Sequence, residues 1–287
     1  MERTPDQFTY RIAAVTMARN DLFFLERWIA YYGRELGEEN LFIYLDGEDQ
    51  PLPSNAGKTH ITSLLHKELT RAEGDKYRIG LLNNLKNNLL REGYDMVIGT
   101  DADEFIIVDP IRKQSLCEFL YQYRFCKTIS ALGLDLGQKI GEENDLLAAS
   151  SLLSQRSYAV LSSRYTKASV VTQPLRWGAG FHRVKGCNYH ILPDLYLIHT
   201  GYCDWKRIQK RFADTTRIEG GWNAHLRRRA RTIYHTTHRK AIPADQILKS
   251  ARLLQTIFRP IYALNKPLMP TSSLVVKLPR RFQSIEI

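Results

Sequence analysis

The chain has 287 residues, 44% hydrophobic and 25% charged, with a net charge of +11. That is a globular composition with enough apolar surface to exclude disorder over most of the length, and no apolar run reaches the ~20 residues of a membrane-spanning helix. The opening MERTPDQFTYR has no apolar leader segment, which predicts a cytoplasmic protein. Cys117, Cys126, Cys187 and Cys203 form no CxxC pair and are expected as reduced thiols.

In chain order, the apolar run over 10–17 (YRIAAVTM) predicts a strand, and Ala18-Arg19-Asn20-Asp21 a polar turn whose Asn20 or Asp21 caps a helix. Leu22, Leu25, Trp28, Ile29 and Tyr32 recur at helical spacing, so 22–36 is a helix stopped at Gly37. A second strand over 40–45 ends at Asp46-Gly47. Strand, helix and strand with short links make the unit of a parallel sheet. A short third strand is expected near 61–65, a long helix over 75–92, a buried strand over 96–99 (MVIG), a helix over 116–123 and a strand over 128–136. Beyond Gly137 the expectations are a helix within 141–154, strands over 170–174 and 195–198, a basic, partly helical stretch over 204–241, an amphipathic helix over 244–258 and a basic tail over 265–287.

The charge is uneven. Residues 1–50 hold five basic and ten acidic side chains, whereas 204–240 hold eleven basic and three acidic, and 259–287 five basic and one acidic. A basic back half points to an anionic partner such as phosphate, an anionic glycan or an anionic membrane surface. No helix-turn-helix, zinc finger or RNP-type motif accompanies it, which argues against nucleic acid.

The strongest local feature is VIGTDADEF. Asp101 and Asp103 follow a fully apolar strand, and carboxylates at a buried strand end need a cation. Ligands of open α/β sheets bind just beyond the carboxyl ends of the strands. Two hard oxygen ligands there suit Mg²⁺ or Mn²⁺ bridging a diphosphate. Asp46 ends another strand on the same face, where it reads either as a base or ribose contact or as a plain Asp-Gly turn. Arg19 and Asn20 end the first strand and serve phosphate, base or a helix cap. Trp177, Trp205 and Trp222 lie among glycines in the back half, as sugar-stacking surfaces or as core.

The segments Met17-Ala18-Arg19-Asn20-Asp21, Glu26-Arg27-Trp28-Ile29-Ala30-Tyr31, Leu41–Asp46 and Asp101-Ala102-Asp103-Glu104-Phe105 resemble the family 2-like glycosyltransferases, the group akin to families 2 and 92, over about 10–110 and loosely over 128–205. The resemblance implies a GT-A fold, a Rossmann-like mixed, mainly parallel sheet flanked by helices. It divides the chain into a transferase domain over 1–205 (donor half about 8–110, acceptor half about 111–205) and a basic helical extension over 206–287. It implies an enzyme of polysaccharide biosynthesis that moves a sugar, with inversion, from a UDP- or GDP-linked donor to a glycan or lipid-linked acceptor. Asp101 and Asp103 would hold Mn²⁺ or Mg²⁺, with His199 or His182 as the late histidine against metal or diphosphate and His199 the better metal ligand. Arg19, Asn20, Asp46, Asp101, Trp177 and His182 would contact the nucleotide-sugar. The family's late Glu-Asp pair has no clear copy, so Asp135, Glu142, Glu143 and Asp145 stand as candidate bases, Asp135 and Glu142 first. A basic surface including Lys206-Arg207, Lys210-Arg211 and 227–231 would suit peripheral contact with the inner face of a membrane. The competing reading is an inactive relative of this fold that only binds a glycan or a partner.

Overall fold

The computed structural model describes residues 10–213, 223–261, 264–268 and 274–287, and leaves out the side chains of 211 and 223–229. Ile12–Ala18 (β1), Leu41–Asp46 (β2), His60–Leu64 (β3) and Met96–Gly99 (β4) form a parallel sheet in the order β3-β2-β1-β4. Every residue of β1 and β4 is buried, which is why both read as unbroken apolar runs rather than alternating ones. Beyond β4 the sheet turns antiparallel through Val170–Val171 (β8) to Thr128–Gly137 (β6). The far half of β6 continues into a second set of strands. It pairs in parallel with Ile191–His199 (β9) and antiparallel with Tyr158–Leu161 (β7). Glu104–Val108 (β5) pairs antiparallel with β9, Leu274–Lys277 (β11) with β7, and Ile242–Pro243 (β10) lies beside β11. The result is a Rossmann-like mixed α/β fold, parallel in its N-terminal half, with helices against the sheet.

Leu22–Leu36 (α1) buries Phe24, Leu25, Trp28, Ile29, Tyr31 and Tyr32 and ends at Gly37, whose φ of 92° is glycine's territory. Arg71–Arg91 (α2) starts four residues ahead of the sequence expectation because Thr70 and Glu73 close a capping box. Leu116–Tyr121 (α3) has the same device in Ser115 and Glu118. The helix expected within 141–154 shrinks to Leu152–Gln155 (α4). The Glu143 carboxylate takes the amide N–H of Lys139 and Ser157 at 2.8 and 2.6 Å, so the chain there folds as a loop around its own acid. The strand expected over 170–174 ends at Val171, and β9 is longer than 195–198. Trp205–Ala213 (α5), Asn223–His238 (α6) and Ala244–Ile257 (α7) complete the helices. Residues 274–287, expected as a basic tail, fold back onto the core instead. β11 joins the sheet, Phe282 is buried against Tyr196, and Arg281 pairs with Asp109 and Asp245 at 2.7 and 2.5 Å. No cysteine is disulfide-bonded, and among the described residues no helix is long and apolar enough to cross a membrane.

Lys86 of α2 is fully buried; its Nζ donates to the Leu175 carbonyl and lies 5.1 Å from the centre of the Trp177 ring. Burial lowers its pKa from 10.5 to about 8. The unfolded chain therefore binds more protons than the folded one between those values. The destabilising term is full below pH 8 and is relieved as the pH rises toward 10.5. Urea unfolding of wild type and Lys86→Met should show the wild type gaining on the variant from pH 8 to 10, by at most about 1.4 kcal/mol per pH unit. A difference independent of pH would contradict the buried ammonium.

Candidate functional site

The acidic segment sits where β4 ends and β5 begins, and α1 fixes its backbone. Trp28 Nε1 donates to Thr100 Oγ1 at 2.8 Å, Tyr31 OH donates to the Ile106 carbonyl at 2.7 Å, and Tyr32 OH accepts from Ile106 N–H at 2.9 Å. These three aromatic residues lie at i, i+3 and i+4 on one helix face. The sequence link between the tryptophan-bearing helix and the aspartates thus has a physical basis in buried hydrogen bonds. From the other side, the N–H and Oγ1 of Thr200 donate to the Asp103 carbonyl at 2.9 and 3.0 Å. Gly201 leaves room for these side chains, because a Cβ there would overlap Asp103 Oδ2 and stand 3.0 Å from His199 Nε2.

Strand register supplies the rest. Glu104 of β5 is opposite His199 of β9, and His199 is opposite Asp135 of β6. Directly opposed residues share a face of the sheet, so three ionisable side chains fall in one row. His199 Nδ1 lies 2.7 Å from Asp135 Oδ1 and its Nε2 lies 3.5 Å from Asp103 Oδ2. The ring is stacked on Tyr165 with centroids 3.9 Å apart. Burial pulls the His199 pKa down, but Asp103 and Asp135 outweigh it and raise it to about 9. Thr232 of α6 donates to the other Asp135 oxygen at 2.5 Å.

The cluster also carries cations that sequence reasoning missed. Arg78 of α2 donates to Asp101 Oδ1, and Lys167 Nζ lies 3.1 Å from Asp101 Oδ2 and 2.5 Å from Glu104 Oε1. Burial opposes the charge of Asp101, yet Arg78 and Lys167 outweigh it and hold its carboxyl well below the usual range. Burial pushes Glu104 up, against the pull of Lys167, to about 7. Glu104 Oε2 is buried with no hydrogen-bond partner. Asp101, Asp103 and Glu104 each place an oxygen within 4.8 Å of the others. An orphaned carboxylate oxygen inside a group of three acids, with an imidazole beside Asp103, fits a divalent ion.

A second group lies at the ends of β1 and β2. Arg19 Nη1 donates to the Asp46 carbonyl and pairs with Asp49 at 2.9 Å. Asn20, at φ 53°, exchanges two hydrogen bonds with the Gln50 amide. The Asp46 carboxylate lies 2.9 Å from His66 Nδ1. Arg19, Asn20, Leu22, Leu25 and Pro51 line a cavity of about 230 Å³. Arg19 and Asp46 are therefore brought together as expected from their strand ends, with Asn20 alongside.

Other expected site residues fall elsewhere. Trp177 is buried, its indole N–H on the Ala168 carbonyl and its ring against Phe181 and Gly99, so it packs core and has no face for a sugar. The carboxylates meet His199, while His182 is half-buried against Gly180. Asp135 has both oxygens engaged and is buried, which makes it a holder of His199 rather than a base reaching an acceptor. Glu142 is taken by Lys139 at 2.7 Å and Tyr158 OH at 2.5 Å, at the β6–β7 edge. Asp145 pairs with Lys206 at 2.8 Å, and Glu143 is spent on the loop amides. Trp205 is exposed, while Trp222 lies outside the described residues.

No family model matches the chain, and no curated protein matches it. Among solved structures, it is similar to the crystal structure of mannose-1-phosphate geranyltransferase from Thermus thermophilus. The identity is 11% and the TM-score 0.31, over 93% of this chain and 74% of that one. A likeness at that level leaves the functional reading to the site itself.

The wall carrying Tyr165 and Lys167 rests on Gly133 of β6. Ser162 N–H donates to the Gly133 carbonyl and Gly133 N–H to Thr166 Oγ1, both at 2.9 Å, and a Cβ at 133 would overlap backbone atoms of Ser162, Tyr165 and Thr166. Gly133→Ala should therefore cost about 3 kcal/mol, read as a lowered melting temperature. An unchanged midpoint would mean that the wall yields freely.

Proposed function

We propose that the chain is a metal-dependent glycosyltransferase of GT-A type, which moves a sugar from a nucleotide-sugar donor to a hydroxyl acceptor with inversion. The observation that supports this reading most is the acid cluster at the end of β4, with Glu104 Oε2 orphaned and His199 facing Asp103. Asp103, Glu104 and His199 would hold the ion, manganese suiting the mixed oxygen and nitrogen set better than magnesium. Asp101 would join them by exchanging one of its two cations for the ion. The ion, when bound, supplies positive charge against the departing diphosphate. The protein's own Arg78 and Lys167 add fixed cations beside it, and preorganised charge of that kind stabilises a leaving group. Arg19, Asn20 and Asp46 would receive the base or ribose next to the 230 Å³ cavity. Asp135 orients the His199 ring and keeps Nε2 aimed at Asp103.

Thermal denaturation with Mn²⁺, with UDP or GDP, and with both tests the reading. The midpoint should rise most when metal and nucleotide are present together, as mass action requires of a ternary complex. Asp103→Ala should remove that rise. An equal rise from nucleotide alone would overturn the metal assignment. Asp135→Ala should weaken Mn²⁺ binding about 10–100-fold, measured by titration calorimetry, because it removes the acceptor of His199 Nδ1 and releases the ring that presents Nε2. An unchanged affinity would remove His199 from the ligand set.

A further inference from the structure

A surface helix ordinarily carries one apolar stripe, which it buries. The helix α7 carries two. Ala244, Leu248 and Ala251 face the protein and are buried. Leu253, Leu254, Ile257 and Phe258 are exposed, Ile257 by 60%, and so are Ile261, by 98%, Leu264 and Leu268 further along the chain. Seven large apolar side chains within sixteen residues exceed the scattered hydrophobics of an ordinary surface. The helix is held firmly beneath them. Tyr189 OH donates to the Gln255 carbonyl at 2.5 Å, Thr166 Oγ1 bonds Gln255 Oε1 at 2.5 Å, and Arg252 reaches the Ile191 carbonyl.

Charge selects the occupant. Between Asp245 and Glu286 the sequence has no acidic residue, while Lys249, Arg252, Arg259, Lys266, Lys277, Arg280 and Arg281 are all basic. Of these, Arg281 is spent on Asp109 and Asp245. Arg259 donates to Asn188 and to the Thr256 and Leu264 carbonyls and lies 4.6 Å from the centre of the Tyr189 ring, with no carboxylate among these contacts. Lys249 is exposed on α7. Apolar side chains that protrude from a firmly held helix, with the exposed Lys249 and the half-buried Arg259 on the same stretch of chain, match a headgroup layer with its acyl chains behind.

We propose that α7, with the exposed Phe258, Ile261, Leu264 and Leu268 that follow it, docks the protein on an anionic lipid bilayer. The surface shares a wall with the acid cluster, since Thr166, bonded to Gln255, precedes Lys167 in the chain. It is independent of the donor-site reading, and its failure leaves the metal and nucleotide test untouched.

Flotation of the full chain with phosphatidylcholine vesicles, with and without phosphatidylglycerol, tests the proposal. The protein should float with phosphatidylglycerol vesicles and lose binding as salt rises. Leu254→Ser/Ile257→Ser/Phe258→Ser should weaken binding by at least about tenfold with an unchanged melting temperature. Lys249→Glu, a single charge reversal on the exposed side, should weaken it on anionic vesicles only. No flotation with anionic vesicles, or flotation of the triple variant equal to wild type, would overturn the proposal. So would concentration-dependent dimerisation without flotation that the triple variant abolishes, which would assign the surface to a second copy.

Discussion

Four carboxylates, Asp101, Asp103, Glu104 and Asp135, are drawn toward one end of the sheet, where water is scarce and like charges repel. That crowding has to be compensated, because an uncompensated buried carboxylate either costs several kcal/mol or takes up a proton. Three cationic side chains provide the compensation. Lys167 bridges Asp101 and Glu104, Arg78 covers the other Asp101 oxygen, and His199 stands between Asp103 and Asp135. The compensation falls short at Glu104, whose carboxyl burial pushes up to about 7 and whose Oε2 is left without a partner. The proposed function takes that shortfall as the place for a divalent ion.

The fold builds this crowding from ordinary parts. A parallel strand buried on both faces delivers Asp101 to its carboxyl end, and the antiparallel strand that follows returns Glu104 into register with His199. The α1 aromatics then hold the connection from below through buried hydrogen bonds, and Thr200 holds it from β9. Gly133 and Gly201 leave out the Cβ atoms that would push the walls apart. The hydrogen bonds act on the backbone and Gly201 on the side chains it faces, while the cations set the charge.

The parts legible in the sequence are those set by local pattern. Residues 22–36 and 96–99 show their helical and continuous apolar patterns openly, and the aspartates after MVIG stand out because nothing else there is polar. The parts that were not legible depend on residues distant in sequence. Lys167 sits in an irregular stretch and becomes a site residue only because Gly133 lets that stretch lie on β6. Arg78 looks like any cation on a long helix until α2 is placed against β4. Trp177, a sugar-stacking candidate by its glycine neighbours, is drawn into the core by Gly99 and Phe181. Asp135 was visible as a strand-end acid, but only the β6–β9 register shows that it faces a histidine rather than an acceptor. The C-terminal segment read as a tail because its prolines and charges conceal the four residues, Leu274–Lys277, that pair with β7.

The partnerless oxygen of Glu104 marks where a divalent ion would enter the acid cluster. Anomalous scattering at the manganese edge, from a crystal grown with Mn²⁺ and a nucleoside diphosphate, tests that placement most directly. One strong peak should appear between Asp103 and His199, within reach of Glu104 Oε2 and a phosphate oxygen. A bound diphosphate held by Arg78 and Lys167 alone, with no peak at the carboxylates, would contradict the placement.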